Sequence, residues 1–307
     1  MKILVATSKP FAPVAVEGIR QVVEENGYEL SLLEKYTDKQ DLLGAAADAD
    51  AIIVRSDKID EEVFSAARQL KIVVRAGAGY DNIDLEAATR HGVVVMNTPG
   101  QNANAVAELV LGMLVFAVRN FYNGKAGSEL KGKTLGLLAF GNVGRNVARI
   151  AKGFDMDVMA YDAFCPADAI QAAGVTPVAS RDELFDKCDI VSLHIPATPE
   201  TVRSINAQVV GRMKKNGILV NTARKEVIDE ESLLQLLSDE RPDLKYVTDV
   251  MPDAHVAYAA QLEGRYFSTP KKMGAQTAEA NINAGLAAAR QIAGYLKDGI
   301  TKYQVNK

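Results

Sequence analysis

The stretch TLGLLAFGNVGRNVARIAKGFDMDVMAYD, residues 134–162, decides the fold class. It begins with an apolar run, continues through a glycine turn and a helical pattern, and ends in a second apolar run that closes at Asp162. A strand, a glycine turn, a helix and a second strand in this order are typical of a βαβ unit with parallel strands. In the dinucleotide fingerprint G-x-G-x-x-G, Gly141 and Gly144 fill the last two glycine positions, and Ala139 occupies the first.

Each part of this fingerprint has a physical role. Gly141 lets the backbone approach a pyrophosphate, and Gly144 allows the helix to pack closely on the strand. The start of the helix offers free N–H groups and a positive dipole end. Asp162 lies 18 residues after Gly144, at a strand end, where a carboxylate receives ribose hydroxyls and repels a 2′-phosphate. We therefore predict NAD as the cofactor; the alternative is a tight turn in a sheet that binds nothing.

The same alternation of strands and helices continues on both sides of this unit. Near-continuous apolar strands separated by helices are typical of parallel sheets that are covered on both faces. The strands outnumber what one small sheet needs, so the sequence predicts an α/β protein with two doubly wound parallel-sheet domains. The other apolar runs lie at 2–6, 51–55, 71–75, 93–96, 190–194, 218–221 and 245–250.

Residues that interrupt the pattern of strands and helices predict where one domain ends and the other begins. The pair Pro99-Gly100 interrupts the pattern before a long helical segment. A second crossing is expected where the last helical segment begins, near residue 280. The predicted Rossmann cofactor domain, residues 99–279, is thus inserted into a smaller substrate domain formed by residues 1–98 and 280–307.

Composition excludes several classes of partner. The 307 residues contain 35 Lys and Arg against 39 Asp and Glu, a net charge of −4, which argues against nucleic acid. The longest apolar run, 109–118, is shorter than the roughly 20 residues of a membrane span. The N-terminal run is too short for a signal peptide. Cys165 and Cys188 are too few for a disulfide framework or a zinc cluster. We expect a cytoplasmic protein with no membrane, nucleic-acid or metal partner.

Three further segments carry a resemblance to a known family. They are RAGAGYDNID (75–84), VSLHIPATPET (191–201) and LVNTARKEVIDEESL (219–233). With the fingerprint, they resemble the D-isomer-specific 2-hydroxyacid dehydrogenases over residues 45–285. The resemblance implies an NAD-dependent oxidoreductase with its active site in the cleft between the two domains. It also implies a homodimer, held by the cofactor domains and the long helix after the first crossing.

Within the family, the chain is most similar to the branch that acts on phosphoglycerate. This similarity implies oxidation of 3-phospho-D-glycerate to 3-phosphohydroxypyruvate, the first step of phosphorylated serine biosynthesis. Longer relatives carry a regulatory domain that binds serine, and we expect a short form without it. Two alternatives stay open. One is a reductase of glyoxylate, hydroxypyruvate or another 2-keto acid. The other is an NAD(H)-sensing protein that has lost catalysis.

The resemblance also assigns the cofactor residues. Asp249, at the end of an apolar run, matches the residue that receives the nicotinamide carboxamide, and His194 matches a position beside the cofactor. The complete set is Gly141, Asn142, Val143, Gly144, Asp162, His194, Ile195, Pro196, Thr222, Ala223, Arg224, Asp249 and Gly274.

Substrate residues follow from the same comparison. Arg224 matches the catalytic arginine, whose planar fork can bind a carboxylate with two hydrogen bonds. A substrate phosphate needs further cations, and Arg55 and Arg75 lie at the ends of the predicted strands 51–55 and 71–75, with Lys58 shortly after the first. The alternative for these positions is solvated charge at strand ends. The predicted phosphate and substrate residues are Arg55, Ser56, Lys58, Arg75, Gly77 and Ala78.

The sequence departs from the family at two catalytic positions. The segment D-V-F-x-x-E-P reads DVMPDAH (249–255), which puts Ala254 at the Glu position and Asp253 beside it. The segment T-P-H-x-G-A reads TPKKMGA (269–275), with one residue inserted. Counting back from the Gly-Ala pair puts Lys272 at the His position, and counting forward puts Lys271 there. We favour Lys272, because the Gly-Ala turn leads directly into a helix.

The two losses are chemically consistent with each other. A catalytic His, with an unperturbed pKa near 6.5, uses a carboxylate to hold it protonated, whereas a Lys, near 10.4, needs no such partner. We therefore predict a lysine acid–base group that favours reduction at neutral pH and oxidation at higher pH. His255 lies in the altered segment and is the alternative acid–base residue. His91 follows a helical segment and is expected to cap it or face solvent.

Overall fold

The computed structural model describes residues 1–306 and therefore leaves out Lys307, the last residue of the predicted substrate domain. The chain forms two compact units. The first joins Met1–Asn102 to Gln276 and the residues after it, and the second is Ala103–Ala275. Both crossings lie a few residues from the predicted boundaries at 98/99 and 279/280. The first crossing coincides with the start of a helix at Ala103, and the second lies just before the helix that starts at Ala278.

The first unit is a five-stranded parallel sheet in the order β2-β1-β3-β4-β5. Its strands are β1 (Lys2–Thr7), β2 (Glu29–Glu34), β3 (Ala51–Val54), β4 (Ile72–Arg75) and β5 (Val94–Asn97). With elements numbered along the whole chain, its helices are α1 (Pro13–Glu25), α2 (Lys39–Ala46), α3 (Glu61–Ala66), α4 (Leu85–Arg90) and α12 (Ala278–Asp298).

Helices α1 and α12 cover one face of this sheet, and glycines let them approach each other. A Cβ on Gly18 would lie 2.6 Å from Cδ2 of Leu286. A Cβ on Gly285 would lie 3.0 Å from Cδ1 of Ile19. The returning C-terminal helix therefore belongs to the first unit because its small residues fit against α1.

The free edge of β5 is covered by Val305 and Asn306. Val305 donates its N–H to the carbonyl of Val95 at 2.9 Å. The Asn306 side chain then accepts from Val95 N at 2.7 Å and donates to Val93 O at 2.9 Å and to Thr89 Oγ1 at 3.1 Å. An amide side chain thus takes the place of a neighbouring strand.

The second unit is a seven-stranded parallel sheet in the order β12-β11-β10-β9-β6-β7-β8. Its strands are β6 (Thr134–Leu138), β7 (Asp157–Tyr161), β8 (Thr176–Pro177), β9 (Ile190–Leu193), β10 (Ile218–Asn221), β11 (Lys245–Thr248) and β12 (Tyr266–Ser268). Its helices are α5 (Ala103–Val118), α6 (Asn142–Lys152), α7 (Ala167–Ala172), α8 (Arg181–Lys187), α9 (Ala207–Val210), α10 (Glu230–Gln235) and α11 (His255–Gln261).

Two apolar clusters fill the two faces of the second sheet. One joins α5 and α6 to the sheet, and the other joins α8, α9 and α10 to its opposite face. Because both faces are covered, the central strands β9 and β10 are buried at every position. Across residues 1–306, none of the helices combines the length and the apolar content that a membrane crossing requires.

Candidate functional site

The turn between β6 and α6 has the shape that a dinucleotide phosphate requires. Gly141 precedes α6, whose first residues are Asn142 and Val143, and a Cβ built on Gly141 would meet no atom within 4 Å. At Gly144, in contrast, a Cβ would lie 2.5 Å from the carbonyl oxygen of Ala139. Gly144 is thus needed for close packing, and the open space at Gly141 leaves room for a pyrophosphate at the positive end of α6.

Ala139 occupies the first glycine position of the fingerprint in a glycine-like conformation. Its φ is +82°, in the left-handed region that costs an L-residue roughly 1–2 kcal/mol. Its N–H nevertheless donates to Tyr161 O at 2.8 Å, which fixes the turn to the end of β7. The chain therefore keeps the backbone shape of the fingerprint without the glycine.

Asp162 is fixed at the end of β7 by the backbone around it. Its Oδ2 accepts from Phe140 N at 2.7 Å, and its Oδ1 accepts from Phe164 N at 2.7 Å and Cys165 N at 2.9 Å. Burial alone would raise the pKa of Asp162, but these three N–H donors outweigh it and hold the pKa below its ordinary value. The carboxylate is therefore negatively charged at neutral pH. It lies at the end of β7, where the sequence predicts that a ribose binds.

A cleft of about 690 Å³ opens beside Asp162 within the second unit. Phe164 lies on this cleft with its side chain 96% exposed, so an apolar ring is available to a ligand. Three predicted cofactor residues, Asp162, Ile195 and Pro196, are among the lining residues. The other lining residues include Leu138, Ala139, Tyr161, Ala163, Arg181, Thr198 and Thr201.

His194 follows β9 and is half-buried. Its Nε2 is buried with no hydrogen-bond partner among the described residues. Burial lowers the pKa of His194 to about 4, so the imidazole is neutral. A neutral ring beside the cofactor strands agrees with the predicted contact role, and it gives no support to acid–base work.

Arg224 and Lys272 meet at one carbonyl oxygen. Arg224 Nη1 donates to Ala223 O at 2.9 Å, and Lys272 Nζ donates to the same oxygen at 3.1 Å. The ammonium of Lys271 has no polar partner among the described residues, and its carbonyl accepts from Thr269 Oγ1 at 2.8 Å. Of the two lysines that the sequence leaves open, Lys272 is therefore the one whose side chain lies beside Arg224.

Asp249 holds the loop that carries Lys272. The carboxylate is fully buried; Oδ1 accepts from Met273 N at 2.6 Å and Thr269 Oγ1 at 3.0 Å, and Oδ2 accepts from Gly274 N at 2.8 Å. A Cβ on Gly274 would lie 2.9 Å from Oδ2, so glycine permits this close approach. The sequence predicts that Asp249 and Gly274 bind cofactor; here they bind each other, which is a positioning role that sequence reasoning missed.

Asn221 holds the other loop and was also missed. Its Oδ1 accepts from Ala223 N at 2.9 Å, and its Nδ2 donates to Arg224 O at 2.9 Å. Next to it, Thr222 has a buried Oγ1 with no partner among residues 1–306. The asparagine at the end of β10 is the sequence signal, because a buried amide there can satisfy a turn.

The residues that could replace the missing carboxylate or histidine have polar partners of their own. Asp253 forms an exposed ion pair with Lys225 at 2.5 Å. Ala254, at the family's Glu position, directly precedes α11, and its N–H donates to Glu230 Oε2 at 2.8 Å. His255 Nδ1 lies 2.9 Å from Tyr266 Oη. These contacts give no support to Asp253 or His255 as acid–base residues.

In the first unit, the predicted phosphate residues are not equally accessible. Arg55 follows β3, and its guanidinium contacts the carbonyls of Lys9 and Pro10. Ser56 and Lys58 are exposed, and Lys58 Nζ lies 3.6 Å from Asp60 Oδ2. The structure therefore separates a half-buried arginine from an exposed serine and lysine.

Arg75 lies at the carboxyl end of β4 and shapes the loop after it. Its Nε donates to Arg55 O at 2.9 Å, and its guanidinium lies so close to Gly77 that a Cβ there would be 1.8 Å from Nη1. Asn97 Nδ2 donates to Ala78 O. A side chain at position 77 would collide with the Arg75 guanidinium, and this explains why the position is glycine.

The residues of the second unit fit a bound dinucleotide. The open space at Gly141 suits the phosphates of a dinucleotide. The carboxylate of Asp162 suits its ribose, and the cleft beside Asp162 suits its adenine. The unpartnered Thr222 Oγ1 and His194 Nε2 are polar atoms that a ligand can satisfy. Within residues 1–306, no group of three His, Cys, Asp or Glu side chains is arranged to bind a metal.

Comparisons with known proteins identify the family. The family profile described as D-isomer specific 2-hydroxyacid dehydrogenase, NAD binding domain, matches residues 111–265. The crystal structure of NAD⁺-bound 3-phosphoglycerate dehydrogenase from Entamoeba histolytica is 48% identical, with a TM-score of 0.87 over 100% of this chain and 99% of that one. The chain belongs to the D-isomer-specific 2-hydroxyacid dehydrogenase family. The predictions of this family, of two parallel-sheet α/β domains and of NAD as cofactor are confirmed.

Two curated members of the family bear on the substrate. The D-3-phosphoglycerate dehydrogenase of Methanocaldococcus jannaschii is 35% identical over 93% of this chain and 57% of that protein. The hydroxypyruvate reductase of Thermotoga maritima is 38% identical over 68% of this chain and 72% of that protein. The chain thus spans little more than half the length of the Methanocaldococcus dehydrogenase.

Proposed function

We propose that this 2-hydroxyacid dehydrogenase oxidises 3-phospho-D-glycerate to 3-phosphohydroxypyruvate with NAD and catalyses the reverse reduction. The observation that carries the proposal is the pair of cations, Arg224 and Lys272, whose donors lie at one oxygen, Ala223 O. One can bind a carboxylate while the other exchanges a proton with the neighbouring carbon's oxygen. The likeness to phosphoglycerate dehydrogenases over nearly the whole chain supports the phosphorylated substrate.

Different residues of the chain bind the substrate and transfer its proton. Arg224 binds the substrate carboxylate and polarises the oxygen on C2. Lys272, as the neutral amine, accepts the hydroxyl proton during oxidation; as the ammonium, it returns that proton during reduction. NAD, when bound, supplies the acceptor for the hydride that leaves C2. Asn221 and Asp249 hold the two loops in place.

We assign the binding of the substrate phosphate to cationic residues of the first unit. Arg75 is the last residue of β4 and Lys58 follows β3, and the carboxyl ends of parallel strands are where α/β sheets bind ligands. An unphosphorylated substrate needs fewer cations. The number of cations at these strand ends therefore favours the phosphorylated acid over glyoxylate or pyruvate.

A second candidate is reduction of hydroxypyruvate. The 38% identity to a hydroxypyruvate reductase favours it, and the same Arg224 and Lys272 pair would serve it. The two candidates differ only in the phosphate, so a comparison of the two keto acids separates them.

The deciding experiment follows NADH absorbance with purified protein at pH 7. Phosphohydroxypyruvate, hydroxypyruvate, glyoxylate and pyruvate are compared at equal concentrations. We expect kcat/KM for phosphohydroxypyruvate to exceed that for the others by at least tenfold. Equal or better turnover of hydroxypyruvate would favour the second candidate. NADH binding without turnover of any keto acid would contradict both candidates and favour an NAD(H)-sensing protein.

We also propose a cytoplasmic location. Neither cysteine forms a disulfide within the described residues, since Cys165 and Cys188 are both free thiols. Fractionation of source cells, with antibody detection of the protein, checks this proposal. Recovery with the membrane or secreted fraction would contradict it.

A further inference from the structure

The guanidinium of Arg55 is engaged inside the first unit. Nη1 donates to Lys9 O at 3.0 Å and to Pro10 O at 3.1 Å, and Nη2 donates to Asn281 Oδ1 at 2.5 Å. The guanidinium carbon lies 5.2 Å from the centre of the Phe11 ring. Arg55 therefore ties the loop after β1 to α12, and most of its hydrogen-bonding fork faces protein.

Charge at Arg55 is also partly balanced. Asp57 is buried, and its carboxylate attracts the Arg55 guanidinium through space. Asp57 Oδ1 accepts from Ser8 N at 2.7 Å and from Tyr36 Oη at 2.9 Å. The end of β3 thus holds the loop after β1 at two places, through Arg55 at Lys9 and through Asp57 at Ser8.

Lys9 is the cation that this arrangement presents to solvent. Its carbonyl accepts from Thr7 Oγ1 at 2.6 Å as well as from Arg55, so its backbone is fixed. Its side chain is exposed, and among residues 1–306 its ammonium has no carboxylate within ion-pair distance. Lys58, in comparison, already lies 3.6 Å from Asp60 Oδ2.

We propose that Lys9 recognises the substrate phosphate and that Arg55 acts as a positioning residue which fixes the Lys9 backbone. The inference rests on the proposed function and names a residue that neither the motifs nor the family resemblance assigns. Lys9 stands just beyond the carboxyl end of β1, at the sheet edge where Arg55 and Arg75 also lie. An unpaired ammonium there is a strong point-charge partner for a phosphate dianion.

The first test compares Lys9→Met with Lys297→Met, an exposed lysine in the last turn of α12. We expect KM for phosphohydroxypyruvate to rise about tenfold in Lys9→Met, with KM for hydroxypyruvate and kcat changed less than twofold. Lys9→Arg should recover most of the loss, and Lys297→Met should behave as the wild type. Binding of 3-phosphoglycerate without cofactor, followed by ³¹P NMR, should weaken in parallel.

The second test is a double-mutant cycle with Arg55→Gln. If Arg55 acts through Lys9, Arg55→Gln raises KM for the phosphorylated acid in the wild type but adds little in Lys9→Met. If Arg55 binds phosphate itself, the two effects multiply, and its positioning role is wrong.

The outcomes separate the inference from the proposed function. Wild-type preference for the phosphorylated acid with an unchanged Lys9→Met would overturn the inference and leave the proposed function standing. Wild-type indifference to the phosphate would overturn both.

Discussion

At the residue scale, the chemistry depends on which of two adjacent lysines reaches Ala223. Lys272 does so, and we expect Lys272→Ala to lower kcat for phosphohydroxypyruvate reduction by about 100-fold or more, because general acid catalysis contributes that much. Lys271→Ala, at the neighbouring exposed lysine, should stay within about twofold of the wild type, judged against the same general range for acid catalysis. Steady-state kinetics from pH 6 to 10 checks both variants. An unchanged rate and pH profile in Lys272→Ala would remove its acid–base role.

A second residue-scale prediction concerns stability and pH. Because the pKa of His194 in the folded protein is about 4, below the ordinary 6.5, protonation favours the unfolded chain. His194 should therefore stabilise the fold fully above pH 6.5, and this stability should be lost as the pH falls toward 4. Urea unfolding at pH 7, 6 and 5 measures the loss.

The matched variants for this prediction are His194→Gln and His91→Gln. His194→Gln should flatten the fall in unfolding free energy between pH 7 and 5. His91→Gln, which removes an exposed histidine paired with Glu61, should keep that fall. An identical pH dependence in all three proteins would show that His194 is not the group involved.

At the scale of single elements, the loop 269–274 depends on one buried carboxylate. Asp249→Asn replaces an acceptor of two backbone N–H groups by an amide, so the free energy of unfolding without cofactor should fall by about 2 kcal/mol. Asp253→Asn, in an exposed ion pair, should change stability little. A full loss of NADH affinity with unchanged stability would instead support the predicted carboxamide contact.

The turn between β6 and α6 gives a prediction in the opposite direction. Ala139→Gly removes a left-handed alanine, so we expect stability to rise by about 1 kcal/mol, after the entropy cost of glycine. Ala148→Gly, inside α6, should lower stability by about the same amount. Thermal unfolding of both variants measures the difference, and a lower Tm for Ala139→Gly would contradict the strain.

The elements also show what the sequence could predict. The run 218–221 matches β10 residue for residue, because a strand covered on both faces is apolar almost throughout. Three edge strands, β2, β8 and β12, were missed, because an edge strand is short or half exposed and carries no continuous apolar run. The cofactor turn and Asp162 were predictable from spacing, whereas Asp249, Asn221 and Arg55 contact other loops, which spacing does not reveal.

At the scale of the whole molecule, the predicted homodimer stays a proposal, and α5 is where to test it. The helix is apolar on nearly all sides, and Leu109 and Phe116 remain only partly buried while Gly112 is exposed. Light scattering should give twice the 33.0 kDa chain mass. Leu109→Glu should shift it to one chain, and Val256→Glu, at an exposed position of α11, should not. A monomeric wild type would contradict the proposal.

The amide of Asn306 bears on whether a strand of another copy of this protein can add to the first sheet. The Asn306 side chain binds Val95 N and Val305 N binds Val95 O, so two hydrogen bonds close an edge that would otherwise offer these free groups of β5. We expect the segment of Val305 and Asn306 to detach more readily than a full strand, because few hydrogen bonds hold it to β5. Once it detaches, β5 becomes a template on which an extended segment of another chain can add. The resistance of the first unit to strand exchange should therefore depend on Val305 and Asn306.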